Sequence, residues 1–201
     1  FTKNLIYSTI AYSCASDTNR TPISLIRFPN SKDGEATILS TSISRDAFKH
    51  AGKVSKVIMD HQITIEKEEE FSSCLSLQEV VFGNNINVKD FRKYFDESKI
   101  KKVFITSGVS IISHNSFLNA TGLEYFGPTA SSNHESLIQI QTFAFKGCVN
   151  LKTFAFEIGN LGNVISYGES AFENCSSLTE MIIPSSIDDR DNTRTVGNNC
   201  F

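Results

Sequence analysis

Hydrophobic positions along this chain recur in one phase. Phe48, Phe71, Phe95, Phe117, Phe145, Phe172 and Phe201 stand 23, 24, 22, 28, 27 and 29 residues apart. Three residues after these anchors come Ala51, Cys74, Ser98, Ala120, Cys148 and Cys175, all small. Six residues after them come Val54, Leu77, Leu123, Leu151 and Leu178, with Ile100 one place early in its shorter repeat. Val57, Val80, Val103, Phe126, Phe154 and Met181 follow, then Met59, Phe82, Ile105, Phe156 and Ile183, with Pro128 at that place in the fourth repeat. Upstream, Ile43, Ile112, Ile140 and Tyr167 stand five residues before an anchor, and Val109, Leu137 and Val164 eight before. The second and third repeats depart here, with Glu66 and Asp90 at the fifth place.

An L-x-x-h-x-h segment predicts a short strand whose alternate side chains face one side. One such strand cannot bury itself. Stacked in parallel, about 4.8 Å from its neighbours, it builds a continuous sheet. Each Phe then stacks on the Phe of the next coil, and the residue three places on must be small because it faces a crowded interior. A fully buried Phe contributes roughly 1.5–3 kcal/mol, so a ladder of them makes a plausible spine. The expectation is a repeat solenoid with a parallel sheet on one face and short irregular, 3-10 or helical segments on the other. It forms a single domain over residues 1–201, with anchored repeats in 41–201, a truncated one at Phe201 and divergent N-terminal repeats in 1–40. In that N-terminal part, Ile23–Pro29 predicts a strand and Asn30–Gly34 a turn, Ala36–Leu39 and Ile43 lead into Asp46–Phe48, and Leu5–Ala15 reads as a further rung. Phe1-Thr2-Lys3 does not resemble a natural start, and Cys200-Phe201 falls inside a repeat. The expectation is a fragment of a larger protein.

Composition narrows the class. The chain is 40% hydrophobic and 20% charged, which fits a globular protein rather than a disordered one. A net charge of -3 gives no electrostatic case for nucleic acid. No run of eighteen apolar residues predicts a membrane span. Phe occurs 16 times and Trp not at all, so Phe is placed specifically rather than through a general aromatic enrichment. The five cysteines are spread out, with no C-x-x-C, which argues against a zinc site or a dense disulfide framework.

The phase I-x-x-x-A-F-x-x-C-x-x-L-x-x-h-x-h-P, carried almost whole by Tyr167–Pro184, resembles the leucine-rich repeats of the BspA-like (Treponema pallidum-type) class. Leu25-Ile-Arg-Phe-Pro29, followed by Ala47-Phe48, resembles that family's lead-in. The resemblance covers about residues 23 to 201. It implies a curved leucine-rich repeat solenoid without an active site. It further implies a secreted or surface-displayed protein of a host-associated bacterium or parasitic protist, several of whose relatives are adhesins for host matrix proteins or other microbes. No cofactor is implied.

The candidate chemistry is thin. Gly168-Glu-Ser170-Ala-Phe172 lacks the last Gly of a nucleophile elbow and occupies the ordinary segment before an anchor. His50, His61, His114 and His134 share no metal or triad spacing. Asp188-Asp189-Arg190-Asp191 lacks the Gly turn and closing Glu of a calcium loop, and Lys67–Glu70 is most simply a solvated face. Cys74, Cys148 and Cys175 read as buried small residues, although Cys148 and Cys175 stand in adjacent repeats where a bridge is geometrically feasible. Sequons at Asn19, Asn119 and Asn174 are candidate glycosylation sites in a secreted protein, the last two on the convex side.

The stronger signal is a row on the outer side of the predicted strands: Ile58, Val81, Phe104, Gly127, Ala155 and Ile182. Lys56, Glu79, Lys102, Tyr125, Thr153 and Glu180 flank it. Apolar side chains beside charges on an open face read as an interaction surface for a protein partner, against the simpler view that β-branched residues merely suit strands. Six such strands offer roughly 400 Å², below the roughly 800 Å² that each partner of a standard interface buries. Stable binding therefore also needs loops, more repeats or multivalency. The three long repeats place their extra residues at one phase (127–136, 157–163 and 184–194), which predicts a loop rim as a second surface. The favoured reading is a non-enzymatic binding module of a surface or secreted adhesin. The alternative is an intracellular leucine-rich repeat scaffold.

Overall fold

The computed structural model describes residues 9–11, 26–28, 34–38, 42–43, 48, 51–59, 64–65, 71, 74–83, 94–96, 98–106, 109–129, 139–155, 166–181 and 195–201. Its largest unit is an eight-stranded sheet. In spatial order the strands are β1 (Thr9–Ala11), β2 (Ile26–Phe28), β3 (Glu35–Ile38), β5 (Lys56–Met59), β7 (Glu79–Phe82), β8 (Lys102–Ile105), β10 (Tyr125–Pro128) and β12 (Thr153–Phe154). From β3 onward every pairing is parallel, and each strand adds one coil. The register holds throughout: Thr37, Ile58, Val81, Phe104 and Gly127 share one row. At the other edge β2 joins β3 antiparallel and β1 joins β2 antiparallel, so the stack of parallel coils begins only at β3.

Alternation along the strands produces the two faces. In β5, Val57 and Met59 are buried while Lys56 and Ile58 are part-exposed, and β3 and β8 alternate in the same way. Inside lies the expected spine: Phe48, Phe71, Phe95, Phe117, Phe145 and Phe172 are all buried. Successive rings lie 4.6 Å apart for Phe48–Phe71, 4.7 Å for Phe71–Phe95, 5.0 Å for Phe117–Phe145 and 5.1 Å for Phe145–Phe172. A second aromatic file, Phe126 stacked on Phe154 at 5.6 Å, meets the first edge-on. Edge-to-face and offset stacking are the arrangements that aromatic quadrupoles favour.

Each anchor starts two tight turns. The N–H three residues on donates to the anchor carbonyl (Cys148 to Phe145, 3.1 Å), and the N–H six on donates to the intervening one (Leu151 to Cys148, 3.0 Å). The shorter third repeat replaces this with a single turn closed on one carbonyl. There Lys99 and Ile100 both donate N–H to Asp96 O, at 3.0 and 3.4 Å, and the Asp96 carboxylate accepts from the Ser98 N–H and hydroxyl. One residue is lost without shifting the register of β8.

The convex side carries ladders of its own. β4 (Ser42–Ile43) pairs β6 (Thr64–Ile65), and β9 (Ile111–Ile112), β11 (Gln139–Ile140), β13 (Ser166–Tyr167) and β14 (Thr195–Val196) form a narrow parallel sheet. In β4, β9, β11 and β13 the inward residue is the one five places before an anchor, with Ile43, Ile112 and Ile140 fully buried and Tyr167 buried. From Asn115 onward a further ladder runs through the anchors. Asn115, Phe117 and Asn119 donate N–H to the carbonyls of Thr142, Ala144 and Lys146, and Phe143, Phe145 and Gly147 donate to Glu169, Ala171 and Glu173. The backbone is left-handed two residues before Phe117, Phe145, Phe172 and Phe201, at Asn115, Phe143, Ser170 and Asn199, and two residues after the first three, at Asn119, Gly147 and Asn174.

Two expectations need correction. The row ten residues after each Phe is not open along its whole length, because Val81 and Gly127 are buried. Val81 lies in register between Ile58 and Phe104, whose larger side chains flank it. The predicted strand after Leu178 is also absent. Thr179–Met181 lie outside any strand, and among the described residues the sheet ends at β12.

Candidate functional site

The open face of β3–β12 collects most of the residues marked in the sequence. Parallel pairing sets Glu35, Lys56, Glu79, Lys102, Tyr125 and Thr153 in one row. Their charges alternate in sign, so neighbours across the strands pair. Lys56 Nζ is 3.0 Å from Glu35 and Lys102 Nζ is 3.1 Å from Glu79. One residue earlier on each strand the same logic joins Lys152 to Glu124 at 2.9 Å, with Lys101 facing Glu124 at 4.0 Å. Hydrogen bonding from Lys152, then its charge and those of Lys101 and Lys102, holds the Glu124 carboxyl below its ordinary value. Surface pairs of this kind are weak and screened by salt, so a partner can displace them at little cost.

Behind the charged row lies the apolar one. Ile58 and Phe104 are part-exposed, and the Phe104 ring sits 5.2 Å from that of Tyr125. A Cβ at Gly127 would fall 2.7 Å from the Tyr125 hydroxyl and 3.0 Å from its ring, so the tyrosine lies over the glycine. Partial burial there raises the Tyr125 hydroxyl pKa. Thr153 and Glu180 are exposed, but Glu180 follows the last strand and does not join the row. Ile182 lies outside the described residues, as do Asn19, the acidic stretch 188–191 and most of the proposed loop rim. The sequence reading did not single out Lys101, Glu124 and Lys152 as a group. The signal was available, since they occupy equivalent phases of adjacent repeats.

The other marked groups sit in the turns and the core. Asn119 and Asn174 are exposed and hold left-handed turns, a conformation asparagine tolerates well. The Cys148 thiol donates to Phe117 O and the Cys175 thiol to Phe145 O, each at 3.1 Å. The small position three after an anchor therefore also supplies a weak donor to the carbonyl of the preceding coil's anchor. Cys74, Cys148, Cys175 and Cys200 are buried and unbridged. Hydrogen bonding to Cys175, with burial, pushes the Cys148 thiol up, and burial pushes Cys200 to about 11. Ser170 is buried in the segment before its anchor and carries no His or Asp partner among the described contacts. Among the described residues no helix is long and apolar enough to cross a membrane.

Among solved structures, a leucine-rich repeat protein from Eubacterium ventriosum is similar at 15% identity, covering 85% of this chain and 52% of that one, with a TM-score of 0.45. The chain thus spans about half the length of that relative. The T. pallidum leucine-rich repeat protein is similar at 15% identity, covering 85% of this chain and 88% of that one, with a TM-score of 0.34. No curated protein matches the sequence. The family model described as the BspA type leucine-rich repeat region matches residues 18–124, 41–156 and 128–201, in six copies. Coils of parallel strands on a phenylalanine spine are what those copies build: the chain belongs to the BspA-type leucine-rich repeat family, whose fold serves as a protein-interaction module.

Proposed function

We propose that this segment is the non-catalytic protein-binding module of a cell-surface or secreted adhesin, holding a host or microbial protein through the open sheet face and the adjacent loop rim. One observation carries the reading. On that face the part-exposed Ile58, Phe104 and Tyr125 stand beside ion pairs that satisfy one another. A surface with its charges already neutralised in pairs presents apolar area at a low desolvation cost, as interface centres do. Surface display is the reading supported by the family resemblance, and the exposed sequon residues Asn119 and Asn174 are compatible with it.

The test is capture of matrix and cell-surface proteins by the purified chain, compared with its Ile58→Asp and Phe104→Asp variants. Both variants are expected to keep the fold and lose capture. If they melt like core mutants, or bind as the parent does, the face is not the site. A second reading, an intracellular scaffold, draws on the four unbridged thiols. Glycan found on Asn119 or Asn174 of the native protein excludes it.

A further inference from the structure

The open face is not uniform. On β3 and β5 the charges match one to one, Lys56 with Glu35. From β7 to β12 three ammonium groups share two carboxylates: Lys102 takes Glu79, while Lys152 and Lys101 divide Glu124 at 2.9 and 4.0 Å. The Lys101 and Lys152 side chains are 50% and 62% exposed, so both remain within reach of an incoming group. Against this corner lies the aromatic platform. Tyr125 lies over Gly127 with the Ala155 methyl beside it, and Phe104 closes the other side. A side chain at position 127 would occupy the place of the tyrosine ring, so the glycine is what lets the platform lie flat.

We infer that the patch of Lys101, Lys102, Lys152, Phe104 and Tyr125 is the anchor point of the interface, and that it takes an acidic protein segment carrying a large apolar or aromatic side chain. The inference rests on the reading of the sheet face as a protein-binding surface. The ligand chemistry follows from what the lysines already hold. Each sits on a carboxylate, and the corner is one carboxylate short. Charge of this kind steers the encounter, while a desolvated aromatic supplies most of the hold. A peptide fits better than an acidic sugar, because the part-exposed Ile58 lies in the same register row two strands on from Phe104, across the buried Val81. Covering Ile58 and Phe104 benefits apolar side chains and offers a polar saccharide nothing.

The probes are a random copolymer of glutamate and tyrosine, plain polyglutamate, and heparin, measured against the immobilised chain at low salt. The copolymer is expected to bind at least about tenfold more tightly than polyglutamate. Tyr125→Ala should cost about tenfold, and Gly127→Ala, which displaces the ring, a similar amount. Lys101→Glu with Lys152→Glu should cost more at low salt than at about 0.5 M. Circular dichroism confirms that each variant is folded. The inference is overturned if polyglutamate matches the copolymer and Tyr125→Ala changes nothing, or if heparin binds more tightly than the copolymer. Capture of the protein partner separates this idea from the reading beneath it. Loss with Ile58→Asp but not with Tyr125→Ala sinks the patch and keeps the face. Loss with neither sinks both.

Discussion

The concave sheet and the convex ladder of the later repeats stack the same coils by opposite means. In the sheet, extended residues alternate, so every second side chain is free to face solvent while the backbone pairs with both neighbours. On the convex side from Asn115 onward, the described inter-coil N–H groups at the anchor all point toward the following coil, through left-handed residues flanking each Phe. The sheet therefore leaves side chains over for recognition. The convex turns use theirs to tolerate an unusual backbone and to cap the core. The proposed interface accordingly lies on the sheet, and the backbone strain in the turns.

The largest effect that would break this comparison lies where the two sides meet. Phe145 stacks between Phe117 and Phe172 and touches Phe126 and Phe154 edge-on. Phe145→Ala should cost about 3–5 kcal/mol in urea unfolding, because the surrounding rings cannot collapse into the gap. A loss under about 1 kcal/mol would remove the spine from the argument.

A smaller effect of opposite sign sharpens it. Phe143 holds a left-handed backbone at φ 58, where the equivalent residues are Asn115, Ser170 and Asn199. A bulky side chain there costs about 1–2 kcal/mol, partly offset by Lys146, whose ammonium lies 5.0 Å from the ring. Phe143→Asn should raise stability by roughly 0.5–1 kcal/mol. Gly147→Ala, at φ 76 with Asn119 against it, should lower it. If both changes are neutral, the convex turns are not under the strain assigned to them.

The smallest effect belongs to the face. The Glu124 carboxyl is held low chiefly by the Lys152 hydrogen bond. Its contribution to stability is present above the unfolded value and disappears as pH falls through the lower folded one. Lys152→Met should move the Glu124 titration upward in a carbon-detected NMR experiment, with little change in melting temperature. An unmoved titration would separate Glu124 from Lys152.

The parts legible in the sequence were those with a strict spacing. A buried Phe, a small residue three on and a Leu six on admit few substitutes, so their period showed through every loop insertion. The turn geometry was not legible, because although Asn recurs at the left-handed positions, they also accept Ser170, Gly147 and even Phe143. The narrow β9–β14 sheet was visible only as its inward residues. The order on the open face lay further out of reach. Alternation placed Ile58 and Phe104 correctly, but whether Val81 is covered depends on the size of its neighbours across the register.

The sequence by itself determined the repeat, the aromatic spine and the separation of an inner and an outer side, because these follow from period and from burial of apolar area. Only the tertiary structure decided where the stack of parallel strands begins and ends, which charges neutralise which, and that Tyr125 lies over Gly127. Those depend on register between coils more than twenty residues apart, and a distance across strands is not written along one of them.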